Sequence, residues 1–107
     1  MSGRKSRDKG ARTERGVVKL LQAGGWAAER VPLSGSCGGR FAGDISLPFL
    51  GKDLCVEVKC RANGFIELYG WLNGKDMLIV KRDHSPPLVV MPLNLWSQIA
   101  MKAELAK

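Results

Sequence analysis

The feature that most constrains this chain is the stretch from Leu54 to Cys60, in which apolar and charged side chains alternate. Successive side chains of a β-strand point to opposite faces of the sheet, so this pattern predicts a strand over residues 53–60. Glu57 and Lys59 are then expected to share one face of that strand. The side chains expected on the opposite, apolar face are Leu54, Val56, Val58 and Cys60.

A second strand is predicted just before this one. Residues 43–47 alternate again, with Asp44 on the polar face, and Pro48 predicts that the strand is short, bulged or at an edge. A turn at Gly51 returns the chain into the longer strand and so predicts a hairpin. Pairing across the hairpin can put Asp44 and Glu57 on one face at neighbouring positions. Two carboxylates beside a lysine suit a divalent cation and the cleavage of a phosphodiester bond.

Glu57 and Lys59 also have a simpler interpretation. Side chains two residues apart on a strand can form an exposed ion pair, which is worth at most about 1 kcal/mol. Considered without the rest of the chain, this pair fits the surface interpretation better. Asp44 and a further carboxylate, at Glu14, are what favour a metal-dependent site.

Glu14 lies in a predicted amphipathic helix. Apolar residues recur at helical spacing from Lys9 to about Ala23, and Gly24-Gly25 is expected to end the helix. Glu14 falls beside the apolar stripe, where an unpaired carboxylate is costly to bury. It is therefore either a capping or salt-bridged residue near the helix start or a carboxylate directed at a metal ion.

The charge of the chain favours a polyanionic partner. Seventeen Lys and Arg residues against ten Asp and Glu give a net charge of +7 over 107 residues. Residues 1–9 are polar, basic and without periodicity, so we predict a flexible N-terminal arm there. By itself such a run is a solvated tail, and it becomes a DNA contact only beside a catalytic site. The cationic residues of the first fifteen are Arg4, Lys5, Arg7, Lys9, Arg12 and Arg15.

A loop of small residues follows the first predicted strand. The segment 34–39 contains serine, glycine and cysteine and has no side chain large enough to build a core. It is either a flexible connector or a loop whose backbone N–H groups and hydroxyls, from Ser34 and Ser36, approach a DNA strand. Arg40 adds a positive charge at its end.

The other predicted elements complete one domain. They are strands over residues 26–31, 77–80 and 88–91, a helix over 65–73 and a second helix from Leu93. The resulting order, α-β-β-β-α-β-β-α, predicts an α/β domain over residues 10–107 with a central mixed five-stranded sheet.

The cysteines predict neither a disulfide framework nor a zinc site. Their number is odd, Cys37 has no CxxC partner, and Cys55 and Cys60 differ in strand parity. No apolar run approaches the ~20 residues that span a bilayer, and the basic start is not followed by the apolar segment of a secretory signal. We therefore expect no membrane partner and a cytoplasmic or nucleoid-associated location.

The order of these residues resembles a known family. Glu14, then Asp44, then Glu57-Val58-Lys59 is similar to the motif of the PD-(D/E)xK nuclease superfamily, and more closely to archaeal-type Holliday junction resolvases. Resolvases open with a Lys-Gly-x-x-x-Glu-Arg helix start, which residues 9–15 match. They also carry a Leu-Cys-x-Glu-Val-Lys type strand, which residues 54–59 match.

A serine- and glycine-containing segment precedes the aspartate strand in that family, as residues 34–36 do here. The similarity covers roughly residues 9 to 95. It implies a restriction-endonuclease-like fold and a metal-dependent DNA endonuclease that acts on branched DNA, such as a four-way junction, as a homodimer. The alternatives are an endonuclease for flaps, nicked or plain duplex, and a non-catalytic DNA-binding module of the same fold.

The resemblance also assigns roles to residues. Asp44 and Glu57, with the Val58 carbonyl, are expected to bind Mg²⁺ or Mn²⁺, and Glu14 to complete the metal shell. Lys59 is expected to position or activate the attacking water, so the catalytic set is Glu14, Asp44, Glu57 and Lys59. Arg15 and Ser34 match family positions that engage the scissile strand. The full set expected to contact DNA is Arg4, Lys5, Arg7, Lys9, Arg12, Arg15, Ser34, Ser36, Arg40 and Arg61.

Overall fold

A computed structural model describes the backbone of residues 2–31 and 44–107, and the side chains of residues 9–31 and 44–107. Its elements are α1 (Ser2–Ala23), β1 (Glu29–Arg30), β2 (Ile45–Phe49), β3 (Lys52–Val56), α2 (Ile66–Leu72), β4 (Leu78–Val80), β5 (Leu88–Val90) and α3 (Leu93–Ala106). This confirms the predicted order of helices and strands. Within these residues, no helix is both long and apolar enough to cross a membrane.

Helix α1 begins earlier than predicted and ends where predicted. It begins at Ser2 rather than at about Lys9, so most of the basic arm is helical backbone. At the other end, the Trp26 N–H donates to the Leu21 carbonyl and the Gly25 N–H to the Gln22 carbonyl. Gly25 has a φ of +96°, and this pair of hydrogen bonds with a left-handed glycine ends many helices.

The first sheet contains the predicted hairpin. Strands β1, β2 and β3 are adjacent in that order and antiparallel, and Phe49 of β2 pairs with Lys52 of β3. The two residues between them, Leu50 and Gly51, both have positive φ, which gives the turn the twist that a two-residue hairpin needs. Pro48 is tolerated in the middle strand because β1 pairs only with the beginning of β2.

The prediction of one central mixed five-stranded sheet is wrong for the part of the chain described here. Strands β4 and β5 pair with each other in a separate two-stranded antiparallel sheet, and none of the pairings is parallel. Each of these strands has three residues, and a Pro-rich turn joins them directly. A short hairpin pairs its own backbone groups locally, whereas a parallel strand needs a longer crossover into the first sheet.

The core lies between α1, the first sheet and α3. Its buried side chains are Val18, Leu21, Trp26, Ala28, Ile45, Leu47 and Ala100. Trp26 stacks on Trp96 with ring centroids 5.2 Å apart and meets Phe49 edge-on at 5.6 Å. The Trp26 Nε1–H also donates to Ser97 Oγ at 2.8 Å, so its polar atom is paired inside the core.

The predicted alternation of side chains holds as far as Val58 and fails at Cys60. Ile45 and Leu47 are buried, and Leu54, Val56 and Val58 pack against the core, as predicted. The strand ends at Val56 rather than at residue 60, so the alternation does not extend to Cys60, which is exposed. The predicted first strand over 26–31 likewise shortens to the two residues of β1.

Some apolar side chains that recur at helical spacing do not lie in the core. Leu20 of α1 and both Ile99 and Leu105 of α3 recur at the spacing of an apolar stripe, which predicts burial, yet all three are exposed. The core is only as wide as a three-stranded sheet, so a helix buries a narrow strip of its surface against it.

Candidate active site

The four residues of the predicted catalytic set come together in one cleft. Glu14 from α1, Asp44 at the start of β2, and Glu57 and Lys59 beyond β3 all line a cleft of about 450 Å³, here called the carboxylate cleft. The remaining walls come from Lys9, Gly10 and Thr13 in the middle of α1, from Val58 and from residues 60–62. Residues far apart in sequence thus meet at the edge of the first sheet, as a single site requires.

Asp44 is the most firmly fixed of the four. Its backbone N–H donates to the Val56 carbonyl at 2.8 Å, and its carbonyl accepts from Val31 N–H at 2.9 Å. These bonds continue the sheet one residue beyond the pairs of β2 with its neighbours. The Val58 N–H also donates to Asp44 Oδ2 at 2.9 Å, so the side chain is oriented as well as the backbone.

Glu57 and Lys59 form an ion pair at the mouth of the cleft. Lys59 Nζ lies 3.1 Å from Glu57 Oε2, and both side chains are about half exposed. Such a pair contributes under about 1 kcal/mol to stability in water. The exposed ion pair of the simpler interpretation is therefore present in the structure. The same pair also lies in one cleft with two further carboxylates, Glu14 and Asp44.

Glu14 has a partner that the sequence did not reveal. Arg30 of β1 donates from Nε to Glu14 Oε1 at 3.0 Å, and this fixed contact joins α1 to the sheet. The earlier alternatives for Glu14 were a salt-bridged residue and a carboxylate directed at a metal, and it both forms a salt bridge and lines the cleft. The signal that could have identified Arg30 was the need of a half-buried carboxylate for a cation on the neighbouring strand.

The donor chemistry of the cleft fits a hard cation. Carboxylate oxygens from Glu14, Asp44 and Glu57, with backbone carbonyls, are the ligands that Mg²⁺ and Mn²⁺ prefer. Within residues 9–31 and 44–107, no three Asp, Glu, His or Cys side chains lie close enough together to form a metal-holding group. The two exposed cysteines in that range, Cys55 and Cys60, do not change this oxygen-rich chemistry.

The residues expected to contact DNA are placed unevenly. Lys9 and Arg61 line the carboxylate cleft, and Arg12 and Arg15 are exposed on α1. The backbone of residues 4–7 is part of α1. Ser34 and Ser36 of the small-residue loop, and Arg40 at its end, lie outside the described part of the chain.

The fold and the cleft together define a class. A small α+β domain that brings an aspartate, an ExK pair and a helix glutamate to one edge of a sheet has the arrangement of a nuclease domain.

The sequence model of the archaeal Holliday junction resolvase family, Hjc, matches residues 5–94. The chain therefore belongs to the Hjc family, which confirms the resemblance drawn from the sequence and implies a Holliday junction resolvase-like nuclease. No curated protein and no solved structure matches the chain.

Proposed function

We propose that this protein is a metal-dependent DNA endonuclease that hydrolyses phosphodiester bonds in branched DNA, with a four-way junction as its preferred substrate. One observation supports this most strongly: Glu14, Asp44, Glu57 and Lys59 line a single cleft in a chain of the Hjc family. A protein that only bound DNA would have no evident reason to direct three carboxylates toward phosphate groups.

In this proposal Asp44, Glu57, the Val58 carbonyl and Glu14 would hold Mg²⁺ or Mn²⁺. Their carboxylates would have to move closer together on binding, because no three such side chains among the described residues form a metal-holding group in this structure. A bound cation of this kind acts as a Lewis acid, lowers the pKa of bound water and offsets negative charge on the phosphate. The Val58 N–H, through its hydrogen bond to Asp44 Oδ2, keeps that carboxylate oriented. Arg30 does the same for Glu14.

Lys59 is the proposed group that positions the attacking water. Its ammonium group lies 3.1 Å from Glu57 Oε2, and this pair keeps the charge at the mouth of the cleft although the side chain is about half exposed. A fixed positive charge there favours the negative charge that develops on the phosphate oxygens in the transition state. The same ammonium group donates three hydrogen bonds and accepts none, which suits it to holding a water oxygen.

DNA binding is proposed to follow the positive charge around the cleft. Lys9 and Arg61 are at its walls, and the backbone of α1 continues from Lys9 back to Ser2 through the other basic residues of the N-terminal segment. Replacing Arg4, Lys5 and Arg7 by Gln should weaken binding and lower the slope of binding against salt, because fewer counterions are released. An unchanged slope would indicate that these residues form a solvated tail and do not contact DNA. The proposed contact set is Arg4, Lys5, Arg7, Lys9, Arg12, Arg15, Ser34, Ser36, Arg40 and Arg61.

We further propose a homodimer with one cleft in each subunit, which would nick two paired strands symmetrically. In support, large apolar side chains are exposed along α2, β4 and β5. Such a patch on a small protein is typical of an interaction surface. A DNA substrate also fits activity in the cytoplasm, at the nucleoid.

A panel of labelled substrates tests the proposal. A four-way junction, a flap, a nicked duplex and a plain duplex are incubated with the protein and Mg²⁺ or Mn²⁺, or with a chelator. We expect metal-dependent, symmetric nicks in the junction and slower cutting of the others. Preferential cutting of another substrate would instead support the alternative of an endonuclease for flaps, nicked duplex or plain duplex. Salt-sensitive binding with no turnover on any substrate would support the non-catalytic module.

A matched pair of lysines tests the role of the cleft in the same assay. Lys59→Ala should reduce the cleavage rate roughly a hundredfold or more, because it removes a charge placed for the transition state. Lys52 is exposed at the start of β3 and does not line the cleft, so Lys52→Ala should cut at the wild-type rate. Equal rates for the two variants would be incompatible with the proposed role of Lys59.

A further inference from the structure

A second cleft adjoins the carboxylate cleft and differs from it in chemistry. It has a volume of about 480 Å³ and shares the wall formed by residues 59–62. Beyond that wall it is lined by Phe65, Ile66 and Tyr69, at the beginning of α2. We call it the aromatic cleft. Its aromatic and apolar surface contrasts with the carboxylates next to it, so the two clefts suit different parts of one ligand.

Arg61 is held at the boundary between the two clefts. Its Nη1 donates to the Cys60 carbonyl at 2.9 Å. A Cβ built on Gly64 would lie 2.9 Å from Arg61 Cβ and 3.0 Å from Cγ, so only glycine leaves room for the arginine stem there. Backbone contacts therefore fix the direction of a cation that has no carboxylate within salt-bridge distance among the described side chains.

Tyr69 presents its ring to solvent beside that cation. The residue is 76% exposed, and Ile66, one helical turn earlier, is also exposed. A small protein gains nothing in its own stability from holding these side chains in water. Aromatic rings next to arginine and lysine are the surface on which proteins stack nucleobases while contacting the adjoining phosphates.

We propose that the aromatic cleft receives one unstacked nucleotide beside the scissile phosphate, with its base on Tyr69 and its phosphate against Arg61. This inference rests on the proposed function, because it takes the DNA strand to run through the carboxylate cleft. In a continuous duplex both faces of a base are covered by its neighbours, and uncovering them is costly, whereas bases at a branch point are already loosened. Tyr69 is thus a specificity-determining residue that favours branched over plain duplex DNA.

Equilibrium binding measured without divalent metal tests this separately from catalysis. Tyr69→Ala should weaken junction binding about 5- to 100-fold and plain-duplex binding by much less, since base stacking on an aromatic residue has that strength. Tyr69→Phe keeps the ring and should bind like the wild type. Leu20 is the control, a large apolar residue of α1 that is 65% exposed, lines neither cleft and lies outside the proposed subunit surface, and Leu20→Ala should change junction binding less than about twofold.

The DNA itself provides the second arm of the experiment. A set of junctions is prepared, each with a single abasic site at a different nucleotide flanking the branch point. Each junction therefore lacks one base that could stack on Tyr69. At the position bound in the aromatic cleft, the wild type should lose the same factor as Tyr69→Ala, and the variant should lose nothing further.

Gly64 supplies a variant that leaves Tyr69 intact. Gly64→Ala should displace Arg61 and weaken junction binding several-fold. Gly70→Ala is its control, because a Cβ at Gly70 meets nothing within 4 Å.

Three results would overturn the inference. One is an equal effect of Tyr69→Ala and Leu20→Ala, and another is a loss from Tyr69→Ala that persists at every abasic position. The third is a change in the oligomeric state of the DNA-free protein when Tyr69 is replaced, which would indicate that Tyr69 contacts a second subunit. If one of these results is obtained while the wild type still cleaves DNA in a metal-dependent way, only the inference about Tyr69 fails and the proposed nuclease function is unaffected. A wild type that binds as predicted but never cuts removes the nuclease proposal alone.

Discussion

Two regions of this protein bury their apolar side chains very differently. The first runs from α1 to β3, and apart from Ala100 of α3 it contains every buried side chain found in the described residues. The second runs from residue 65 to residue 93 and contains none. Its exposed large apolar side chains are Ile66, Tyr69, Trp71, Met77, Ile79, Leu88, Val89 and Leu93.

The two regions therefore differ in how much of their apolar surface is covered. The first buries its apolar side chains with α3 packed against them, and it holds Glu14 on α1 and Asp44 at the start of β2, so this part of the cleft is built on regular elements. The second region has apolar surface that the described residues leave uncovered, and this is the surface proposed for a second subunit and, at Tyr69, for DNA.

A pair of isoleucines gives the largest expected contrast in stability. Ile45 of β2 is fully buried, at 0% exposed, whereas Ile79 of β4 is 59% exposed. Ile45→Ala should lower the free energy of unfolding by about 2–5 kcal/mol, because it leaves a cavity in the core. Ile79→Ala should lower it by under about 1 kcal/mol. Urea unfolding at low protein concentration measures both, and equal losses would remove the distinction between the regions.

A pair of leucines sharpens the comparison at the proposed subunit surface. Leu20 of α1 and Leu88 of β5 are each 65% exposed, so they differ in location and not in exposure. Leu88→Asp should raise the dissociation constant of the dimer at least about tenfold, because a charge is costly in an apolar interface. Leu20→Asp should leave it unchanged. Sedimentation equilibrium decides this, and a wild type that is monomeric at all concentrations would refute the homodimer.

The smallest expected effect concerns the tether between the hairpin turn and α3. The Leu50 N–H, with a further contribution from Lys107, holds the pKa of Glu104 below its usual 4.5. A carboxyl whose folded pKa is below its unfolded value stabilises the protein above the unfolded pKa and loses that contribution as the pH falls through the folded value. Glu104→Gln should therefore have a lower Tm than the wild type at neutral pH, and the difference should shrink below pH 4.5. A difference that stays constant with pH would contradict this.

The local elements could be predicted because their signals are local. Gly24-Gly25 ended α1, the turn at Gly51 formed the hairpin, and the alternation of residues 45–47 gave the buried face of β2. Each of these depends on a few neighbouring residues. The separation into two sheets could not be found in this way, because it depends on which strands the folded chain brings together.

The candidate site was predictable in part for a related reason. Asp44, Glu57 and Lys59 followed from strand parity and hairpin pairing, and all three line the cleft. The partner of Glu14 was missed, because Arg30 reaches it across the packing of α1 on β1, and the sequence indicates only that such a carboxylate needs a cation nearby. The Val58 N–H bond to Asp44 was missed since it forms only where β3 has ended.

The most direct test of the account compares two aspartates of the same hairpin. Asp44 lines the carboxylate cleft, whereas Asp53 of β3 is exposed and lies outside it. Single-turnover cleavage of a labelled four-way junction is measured with Mg²⁺ for the wild type, Asp44→Asn and Asp53→Asn. The account predicts that Asp44→Asn cuts at least about a hundredfold more slowly while Asp53→Asn cuts like the wild type. A wild type that cuts no junction with Mg²⁺ or Mn²⁺, or an Asp44→Asn variant as fast as Asp53→Asn, would show that the cleft is not the nuclease site.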